Sequence, residues 1–560
     1  MSSERVSLCD VDSDYGSEDR EWVKEYLFNK HGLYCSEIVT FNTVALKGAI
    51  RDCGRALDIP LETINQITKD IDDENNEIMY RQLYPELFEY VDIVNGTIVS
   101  IGTHTAGVIV SPIPLDENIG LVTLPTTQYP VSMVNMKEID GLAYVKLDLL
   151  ILENAQLINE TCKLAGIDRL TPDNVPDDEK VWKSIRNDTT CIFQYESDSA
   201  ARYLKELFSD ETVKKIKERN PNFKYIDLFS VGNGAIRPAG ASYREELAQG
   251  IFRDNGHEAL NEMLAPTLGY LVYQCQIIEF LNKFCGYTMG EADMVRRSFS
   301  KLKNTSEHLP RIKKGFVETM ETKYGVHKEE AEELIINFLK VIEDASDYLF
   351  SVNHSQPYSY IGYVCGYLRY YYPLEFFTTA LNINSDNLEK TTKIIECVKE
   401  HNITIEPPTY GKSKAKYFFD KETDTIYKGV GSVKYLNDEL ADKLYQMSQE
   451  TNYLNFEDLY LSSQGINSRQ WEVLIKIGYF RNFGSAKYLL KVIDVLNEYM
   501  NKKQFKKDKV DCDLIRMFAK SETDKMFKDV NNLALCQYLI SQLDKEEFTI
   551  GELARFEAEY

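Results

Sequence analysis

Two distant segments of the chain carry closely spaced aspartates that could bind metal ions. Residues 9–15 read Cys-Asp-Val-Asp-Ser-Asp-Tyr, and residues 145–150 read Val-Lys-Leu-Asp-Leu-Leu. The alternation in the first segment predicts a strand, on which Asp10 and Asp12 would share one face. Such close carboxylates repel each other unless a cation lies between them. Together with Asp148 on an adjacent strand, they could hold two Mg²⁺ ions for displacement at phosphorus.

The acidic residues at the start of the chain also permit two other interpretations. Asp10, Asp12 and Asp14, with Glu21 in the twelfth place, imitate a calcium-binding EF-hand loop. That loop requires glycine in its sixth place, where this chain has Tyr15. The remaining interpretation is a solvated acidic turn. Spacing alone leaves all three open.

Composition limits the class of protein. A chain of 560 residues with 43% hydrophobic and 12% aromatic residues predicts a soluble globular protein of three or four domains. The eleven cysteines are scattered without a Cys-x-x-Cys pair, which argues against a zinc site and a disulfide framework. A reducing cytoplasm is therefore the expected location. No apolar stretch is long enough to predict a signal peptide or a membrane span.

The net charge of −24 does not by itself favour a nucleic-acid enzyme, so local basic groups matter more. Lys47, Arg51 and Arg55 recur every fourth residue in a helix predicted over 43–57, so they share one face. That face could contact a phosphate backbone or could be a charged solvent surface. Further basic clusters occupy residues 293–314 and 502–509.

Glycines near residue 430 suggest another phosphate contact. Gly429 and Gly431 precede a predicted helix, and a glycine turn there presents backbone amides to phosphates, as in helix-hairpin-helix modules. Ordinary helix punctuation is the alternative. His104 and His354 are more typical of histidines that form hydrogen bonds in a polar core than of catalytic residues.

The pattern of predicted elements indicates an α+β fold. A helix is expected over 18–31 and helices over 61–95, followed by short β-rich runs between 97 and 150. Helices dominate from Glu153 onward, and Pro407-Pro408 marks a boundary. The first part of the chain would therefore carry a helical insertion between two acidic strands.

Together these segments resemble the C-family replicative DNA polymerases, the catalytic alpha subunit of bacterial DNA polymerase III. The opening strand is similar to the family's Pro-Asp-x-Asp-x-Asp-Phe, and residues 102–108 match its His-x-Ala-Gly-Val turn. The other matching segments, in the family's order, are residues 40–43, 50–55, 146–148, 192–197, 236–238, 273–276, 286–288, 292–297, 353–355 and 372–376. The resemblance covers most of residues 8–490.

The resemblance implies a nucleotidyltransferase-type palm with a helical thumb insertion, large and mostly helical fingers, and a helix-hairpin-helix region. The expected domains are the palm over 1–42 and 96–160, the thumb over 43–95, the fingers over 161–388, the helix-hairpin-helix region over 389–500 and a helical tail over 501–560.

The resemblance also implies roles for individual residues. Asp10, Asp12 and Asp148 would be the catalytic metal ligands, for two Mg²⁺ ions or for Mn²⁺. The expected nucleotide-binding residues are Lys146, Arg237, Arg296 and Arg297, and the expected DNA-binding residues are Lys47, Arg51, Gly429 and Gly431. A salt bridge is the alternative for Lys146, and a turn cap for Arg237. Only one of the adjacent Arg296 and Arg297 is expected to reach the triphosphate.

The expected function is template-directed DNA synthesis from primer-template DNA and deoxynucleoside triphosphates. The chain would be the central piece of a split polymerase, with separate chains supplying a Gly-Ser loop region and an oligonucleotide-binding region, as in a bacteriophage or mobile element within a bacterial host. Residues 522–527 resemble a sliding-clamp peptide, for which a helix surface is the alternative. A non-catalytic DNA-binding subunit and a metal-dependent nuclease are the other functions considered.

Overall fold

The computed structural model describes residues 11–142, 144–220, 222–300, 305–345 and 349–560. It divides the chain into two compact units. The first consists of residues up to Gln156 together with Tyr287–Val295, and the second of Leu157–Gly286 and Arg296–Tyr560. The fold is mixed α+β, as the sequence predicts.

A mixed sheet forms the centre of the first unit. Its strands are β1 (Val11–Tyr15), β2 (Tyr34–Thr43), β3 (Ile98–Ser111), β4 (Leu121–Val122), β5 (Val131–Asn135) and β6 (Val145–Ile151). Among the described residues, the six strands lie in the order β1-β6-β3-β2-β5-β4. The accompanying helices are α1 (Ser17–Asn29), α2 (Leu46–Ala56), α3 (Leu61–Asp70), α4 (Glu74–Leu83), α5 (Pro85–Val94) and α6 (Met136–Gly141).

Helix α1 covers one face of this sheet. Val23 and Leu27 pack with Tyr15 and the buried Leu149, because residues four apart on a helix share a face. Trp22 has the same apolar spacing but is 67% exposed. Since odd-numbered residues of β1 face α1, its even-numbered residues project from the opposite face.

Helices α2 to α5 form a separate small core between β2 and β3. Ile50, Ile67, Leu87 and Val91 are buried together there. This arrangement is the helical insertion between acidic strands that the sequence predicts.

From Glu153 onward the chain is mostly helical. These helices are α7 (Glu153–Ala165), α8 (Glu179–Asn187), α9 (Asp198–Leu207), α10 (Asp210–Arg219), α11 (Tyr225–Ala235), α12 (Arg244–Ala248), α13 (Glu258–Met263), α14 (Gln274–Cys285), α15 (Met289–Ser300), α16 (Thr305–Tyr324), α17 (Lys328–Ala345), α18 (Val352–Tyr371), α19 (Pro373–Ile383), α20 (Leu388–Glu400), α21 (Asp438–Glu450), α22 (Phe456–Ser462), α23 (Ser468–Lys476), α24 (Ala486–Tyr499), α25 (Cys512–Arg516), α26 (Asn532–Ser541) and α27 (Ile550–Glu559). Short 3₁₀ helices occupy Pro238–Ser242, Ala265–Thr267 and Lys507–Lys509.

Two small sheets interrupt the helical part. The first contains β7 (Thr404–Glu406), β8 (Phe418–Asp420) and β9 (Thr425–Tyr427), and the second contains β10 (Gln504–Lys506), β11 (Ala519–Glu522) and β12 (Met526–Val530). The second sheet packs Phe505 and Phe527 against Ile515 and Leu535.

The segment 501–560, expected to be a helical tail, contains helices α25, α26 and α27 but also the three strands of this second sheet. Strands β10 and β12, of three and five residues, each bury one phenylalanine, whereas β11 buries none, and such short segments are hard to distinguish from a helix in sequence. The helix-surface interpretation of residues 522–527 is wrong for the same reason, because the segment forms the turn between β11 and β12. Phe527 is fully buried, so it is not available to a clamp while this sheet is folded.

Candidate active site and nucleic-acid contacts

Asp12 and Asp148 lie opposite each other on neighbouring strands. Strands β1 and β6 run parallel, and Asp12 pairs with Asp148 in the register. Directly paired residues project from the same face of a sheet, so both carboxylates lie on the face away from α1. Asp12 is exposed, and the side chain of Asp148 is 14% exposed. Asp10, the third predicted ligand, lies outside the described residues.

The EF-hand interpretation does not agree with this structure. An EF-hand needs a continuous twelve-residue loop between two helices. Here Val11–Tyr15 is a strand paired with β6, and α1 begins at Ser17. Residues 10–21 therefore cannot form that loop.

Lys146 supports Asp148 from the same strand. Its Nζ lies 3.1 Å from Oδ2 of Asp148, and its side chain is only 3% exposed. Residues two apart on a strand share a face, which explains the contact. The structure therefore shows the salt bridge, whereas a contact from Lys146 to a nucleotide stays a prediction.

The other oxygen of Asp148 has a different environment. Oδ1 is buried and has no hydrogen-bond partner among the described residues. A buried carboxylate oxygen without a partner is costly in free energy. The position therefore favours a cation that Oδ1 could bind.

Gly107 on β3 lies beside this oxygen, because β3 is the neighbour of β6 on the side away from β1. It pairs with Asp148 in the antiparallel ladder between β3 and β6. A Cβ at residue 107 would lie 3.3 Å from Oδ1 of Asp148 and 2.9 Å from Nδ1 of His104. The glycine thus leaves room beside Oδ1. Glycine inside a strand often marks such a close approach, and this signal was present in the sequence.

The donor set fits divalent cations that prefer oxygen ligands. Asp12 and Asp148 offer carboxylates from adjacent strands, and no described residue forms a hydrogen bond with Oδ1 of Asp148. These are the ligands that Mg²⁺ prefers in proteins. Within the described ranges, no group of three or more His, Cys, Asp or Glu side chains could hold a metal ion. Asp10, the third predicted ligand, lies outside those ranges.

Arg237 lies in the second unit, just before the 3₁₀ helix Pro238–Ser242. Its guanidinium lies 4.8 Å from the ring centre of Phe350, and its Nη2 donates to Gln194 at 3.3 Å. Its buried Nε has no hydrogen-bond partner in the described part of the chain. Arg237 occupies the N-cap position of this 3₁₀ helix, but its side chain makes no capping hydrogen bond. An arginine stacked on a ring with an unused donor is suited to bind an anion.

Arg296 and Arg297 lie on helix α15, as the sequence predicts. Arg296 is half-buried and Arg297 is exposed. Adjacent helical residues diverge by about 100°. The two side chains therefore point in different directions, and their contact with a triphosphate stays a prediction.

The basic residues of α2 are partly neutralised. Lys47 forms an ion pair with Asp72 at 2.6 Å, and Arg55 lies 3.9 Å from Asp52. Arg51 is exposed between them. Arg51 is therefore the residue of this stripe best placed to contact a phosphate backbone.

Gly431 does not present its amide as the sequence analysis expected. The amide of Val430 donates to the carbonyl of Lys414 at 2.9 Å, and that of Gly431 to Ala415 at 3.0 Å. A Cβ at Gly431 would lie 1.9 Å from Oδ1 of Asp438. The expectation that Gly431 offers its amide to a phosphate is wrong, because a neighbouring loop already uses that amide. Helix α21 begins only at Asp438.

In the described ranges we find no helix with the length and apolar character needed to cross a bilayer.

Comparison with protein families gives matches in three parts of the chain. Residues 1–151 match the family described as the bacterial DNA polymerase III alpha NTPase domain. Residues 245–324 match the bacterial DNA polymerase III alpha subunit finger domain, and residues 402–489 match a helix-hairpin-helix motif. Asp12 and Asp148 both lie within the first match.

Similar curated proteins carry the name DNA polymerase III subunit alpha. The protein of Ureaplasma parvum is 28% identical, over all of this chain and 59% of its own length. That of Vibrio cholerae is 27% identical, over 77% of this chain and 39% of its own length. That of Staphylococcus aureus is 28% identical, over 98% of this chain and 51% of its own length.

The chain thus spans about two fifths to three fifths of the length of these relatives. The matches support the predicted resemblance to the alpha subunit of C-family DNA polymerases, including its finger and helix-hairpin-helix parts.

Proposed function

We propose that this chain carries the nucleotidyl-transfer site of a C-family DNA polymerase and performs template-directed DNA synthesis in the cytoplasm. The observation that carries the proposal is the pairing of Asp12 with Asp148 across β1 and β6, with one buried oxygen of Asp148 unpartnered among the described residues. The similarity to DNA polymerase III alpha subunits supports the same reaction.

Asp10, Asp12 and Asp148 would hold two Mg²⁺ ions, with Mn²⁺ as an alternative. When bound, such ions make the primer 3′-hydroxyl more acidic and neutralise charge on the triphosphate. Asp12 is exposed and can meet substrate from solvent, whereas Asp148 is held in place by Lys146. Because phosphoryl transfer needs little covalent help from protein groups, this positioning is the main contribution of the chain.

Arg237, Arg296 and Arg297 would bind the incoming deoxynucleoside triphosphate, because a guanidinium donates two parallel hydrogen bonds to phosphate oxygens. The unused Nε of Arg237 favours it as the first of these contacts. Lys47, Arg51 and the region around Gly429 would hold the primer-template duplex through its backbone, without reading sequence.

The proposal includes the partners that the resemblance implies. These are primer-template DNA, deoxynucleoside triphosphates and a sliding clamp. The buried Phe527 argues that a clamp would bind elsewhere than residues 522–527.

Primer extension tests the proposal. The chain is mixed with primed template, deoxynucleotides and Mg²⁺, with and without candidate partner chains, and compared with Asp148→Ala. We expect extension that Asp148→Ala reduces by at least about a thousandfold, since each 1.36 kcal/mol of lost transition-state stabilisation is a factor of about ten. Asp14→Asn is the matched control. Asp14 is exposed, lies two residues after Asp12 on β1, and is paired with Leu150 and not with an acidic residue.

Two results would contradict the proposal. Equal extension by Asp148→Ala would remove Asp148 from the reaction. Shortening of end-labelled DNA in Mg²⁺ without nucleotides, and no extension in any mixture, would indicate a nuclease instead.

A further inference from the structure

Strand β3 is interrupted beside Asp148. Between the pairs Glu37–Val108 and Val39–Thr103, β2 advances two residues while β3 advances five. Strand β3 therefore carries three extra residues in a bulge formed by residues 104–107. The bulge ends at Gly107, the partner of Asp148 on β6. Bulges near active sites commonly redirect side chains.

The side chain of His104 closes this bulge from within. Its Nδ1 accepts hydrogen bonds from the backbone amides of Gly107, at 2.8 Å, and Ala106, at 3.4 Å. The amides of two residues that have no partner on β2 thus share one acceptor. This bonding gives His104 a specific task, unlike a histidine that only fills a polar core.

Arg20 holds the same bulge from helix α1. Its Nη2 donates to the carbonyl of Thr105, and its Nε donates to the carbonyl of Leu149 at 2.8 Å. Leu149 directly follows Asp148 in β6. The bulge and the strand that carries Asp148 are therefore tied to one guanidinium.

The bulge places a residue without a side chain against Asp148. A Cβ at Gly107 would lie 2.8 Å from Cδ1 of the fully buried Ile38 and 3.3 Å from Oδ1 of Asp148. Any larger residue would therefore crowd Oδ1, which has no hydrogen-bond partner in the described part of the chain. The backbone of the bulge must also stay fixed, because a regular strand would place these residues differently.

We propose that His104 and Gly107 together position Asp148 for metal binding. Nδ1 of His104 fixes the bulge, and Gly107 keeps Oδ1 of Asp148 accessible to a cation. The inference rests on the proposed function, since it assigns a task to residues beside the same carboxylate. His104 is a positioning residue and touches no reacting atom.

Mn²⁺ binding to the full chain, measured from the electron paramagnetic resonance signal of free Mn²⁺, tests this inference without catalysis. His104→Ala removes the acceptor, and we expect Mn²⁺ affinity to fall by about 10–100-fold, as for other residues that orient metal ligands. In His104→Asn, Oδ1 is attached to Cγ as Nδ1 is in histidine, so the variant keeps an acceptor at this position. Asn and Asp side chains commonly accept from backbone amides two residues further along the chain. We therefore expect His104→Asn to retain most of the affinity.

Gly107→Ala should weaken Mn²⁺ binding to a similar extent, because its Cβ would crowd both Oδ1 of Asp148, at 3.3 Å, and Nδ1 of His104, at 2.9 Å. His257→Ala is the matched control, because Nδ1 of His257 accepts the amide of Ala259 at 3.1 Å in the second unit. We expect no change in Mn²⁺ affinity from that variant. Circular dichroism melting of each variant shows that the chain remains folded.

Several results would overturn the inference. Equal losses in His104→Asn and His104→Ala would assign the role to the imidazole ring itself, and unchanged affinity in both would remove His104 from the site. Full affinity in Gly107→Ala would remove the need for space beside Asp148. If the wild-type chain binds Mn²⁺ and Asp148→Asn binds it equally well, the proposed metal site fails, and the inference fails with it.

Discussion

Asp12 and Asp148 are direct partners in the parallel pair β1–β6, so one pleat of the sheet carries both carboxylates on the same face. Gly107 of β3 is the partner of Asp148 on its other side. Across these three strands, therefore, two carboxylates are followed by a residue without a side chain. This row is the structural basis of the predictions below.

Asp12→Asn and Asp148→Asn should each weaken Mn²⁺ binding by at least about tenfold, because each removes a charged oxygen ligand. If both residues bind the same ion, the double variant should lose less affinity than the sum of the two single losses, since contacting residues are not additive. Asp14→Asn combined with Asp148→Asn should behave additively. Additive losses for Asp12 and Asp148 would mean that they do not share an ion.

Lys146→Met should destabilise the fold by about 3–5 kcal/mol, because it leaves the carboxylate of Asp148 buried without its positive partner. A bound cation can replace that charge. We therefore expect Mg²⁺ to raise the melting temperature of Lys146→Met more than that of the wild type, as measured by calorimetry.

Lys24→Met is the control for this experiment. Lys24 on α1 forms another buried ion pair, with Glu37 on β2. Mg²⁺ should not rescue Lys24→Met. Equal rescue of both variants would show that the ion does not act at Asp148.

Arg237→Lys should raise KM for deoxynucleotides by about tenfold with a smaller effect on melting temperature. Lysine keeps the charge but loses the planar fork and the stacking on Phe350. Steady-state primer extension gives KM, and Arg244→Lys is the matched control. Arg244 donates to the carbonyls of Ala235, Ile236 and Arg237, so its loss should mainly lower stability. An unchanged KM in Arg237→Lys would exclude a nucleotide contact there.

Arg369→Met should destabilise the second unit by about 3–5 kcal/mol at neutral pH, because it leaves the mostly buried Asp188 unpaired. Burial alone would raise the pKa of Asp188, but the attraction of Arg369 and bonds from Cys397 and Thr190 outweigh burial and lower that pKa.

The pH dependence of this contribution follows from the direction in which the pKa of Asp188 is shifted. A lowered pKa contributes stability above the unfolded value of about 3.9, and that stability is lost as pH falls through the folded pKa. The difference in unfolding free energy between wild type and Arg369→Met should therefore shrink below about pH 4. Urea titrations at pH 7 and pH 3 measure it, and a constant difference would contradict the pairing.

The strand positions of the acidic residues could be predicted from the sequence, whereas the bulge could not. Alternation at residues 9–15 and an apolar run at 145–150 predict strands, and the helical insertion over 61–95 follows from its periodicity. The bulge depends on the register of two strands that are separated by α2 to α5. No local pattern around His104 reports that register.

Elsewhere, local patterns were misleading because tertiary contacts decide the use of a residue. The glycines at 429 and 431 look like a phosphate-binding turn, but the loop at Lys414 and Ala415 takes two neighbouring amides. Lysines at 502–509 suggest a solvated face, but Phe505 among them is buried in a small sheet. In the sequence, a single phenylalanine between lysines does not show whether the segment is a solvated face or a strand with a buried residue.

Cleavage by bound iron tests the central claim most directly. Fe²⁺ replaces Mg²⁺ in many oxygen-ligand sites, and with ascorbate and peroxide it cuts backbone near the ion. We expect cuts near residues 12 and 148, suppressed by excess Mg²⁺ and lost in Asp148→Asn. Cuts confined to other segments, or cuts that persist unchanged in Asp148→Asn, would contradict a shared metal site between β1 and β6.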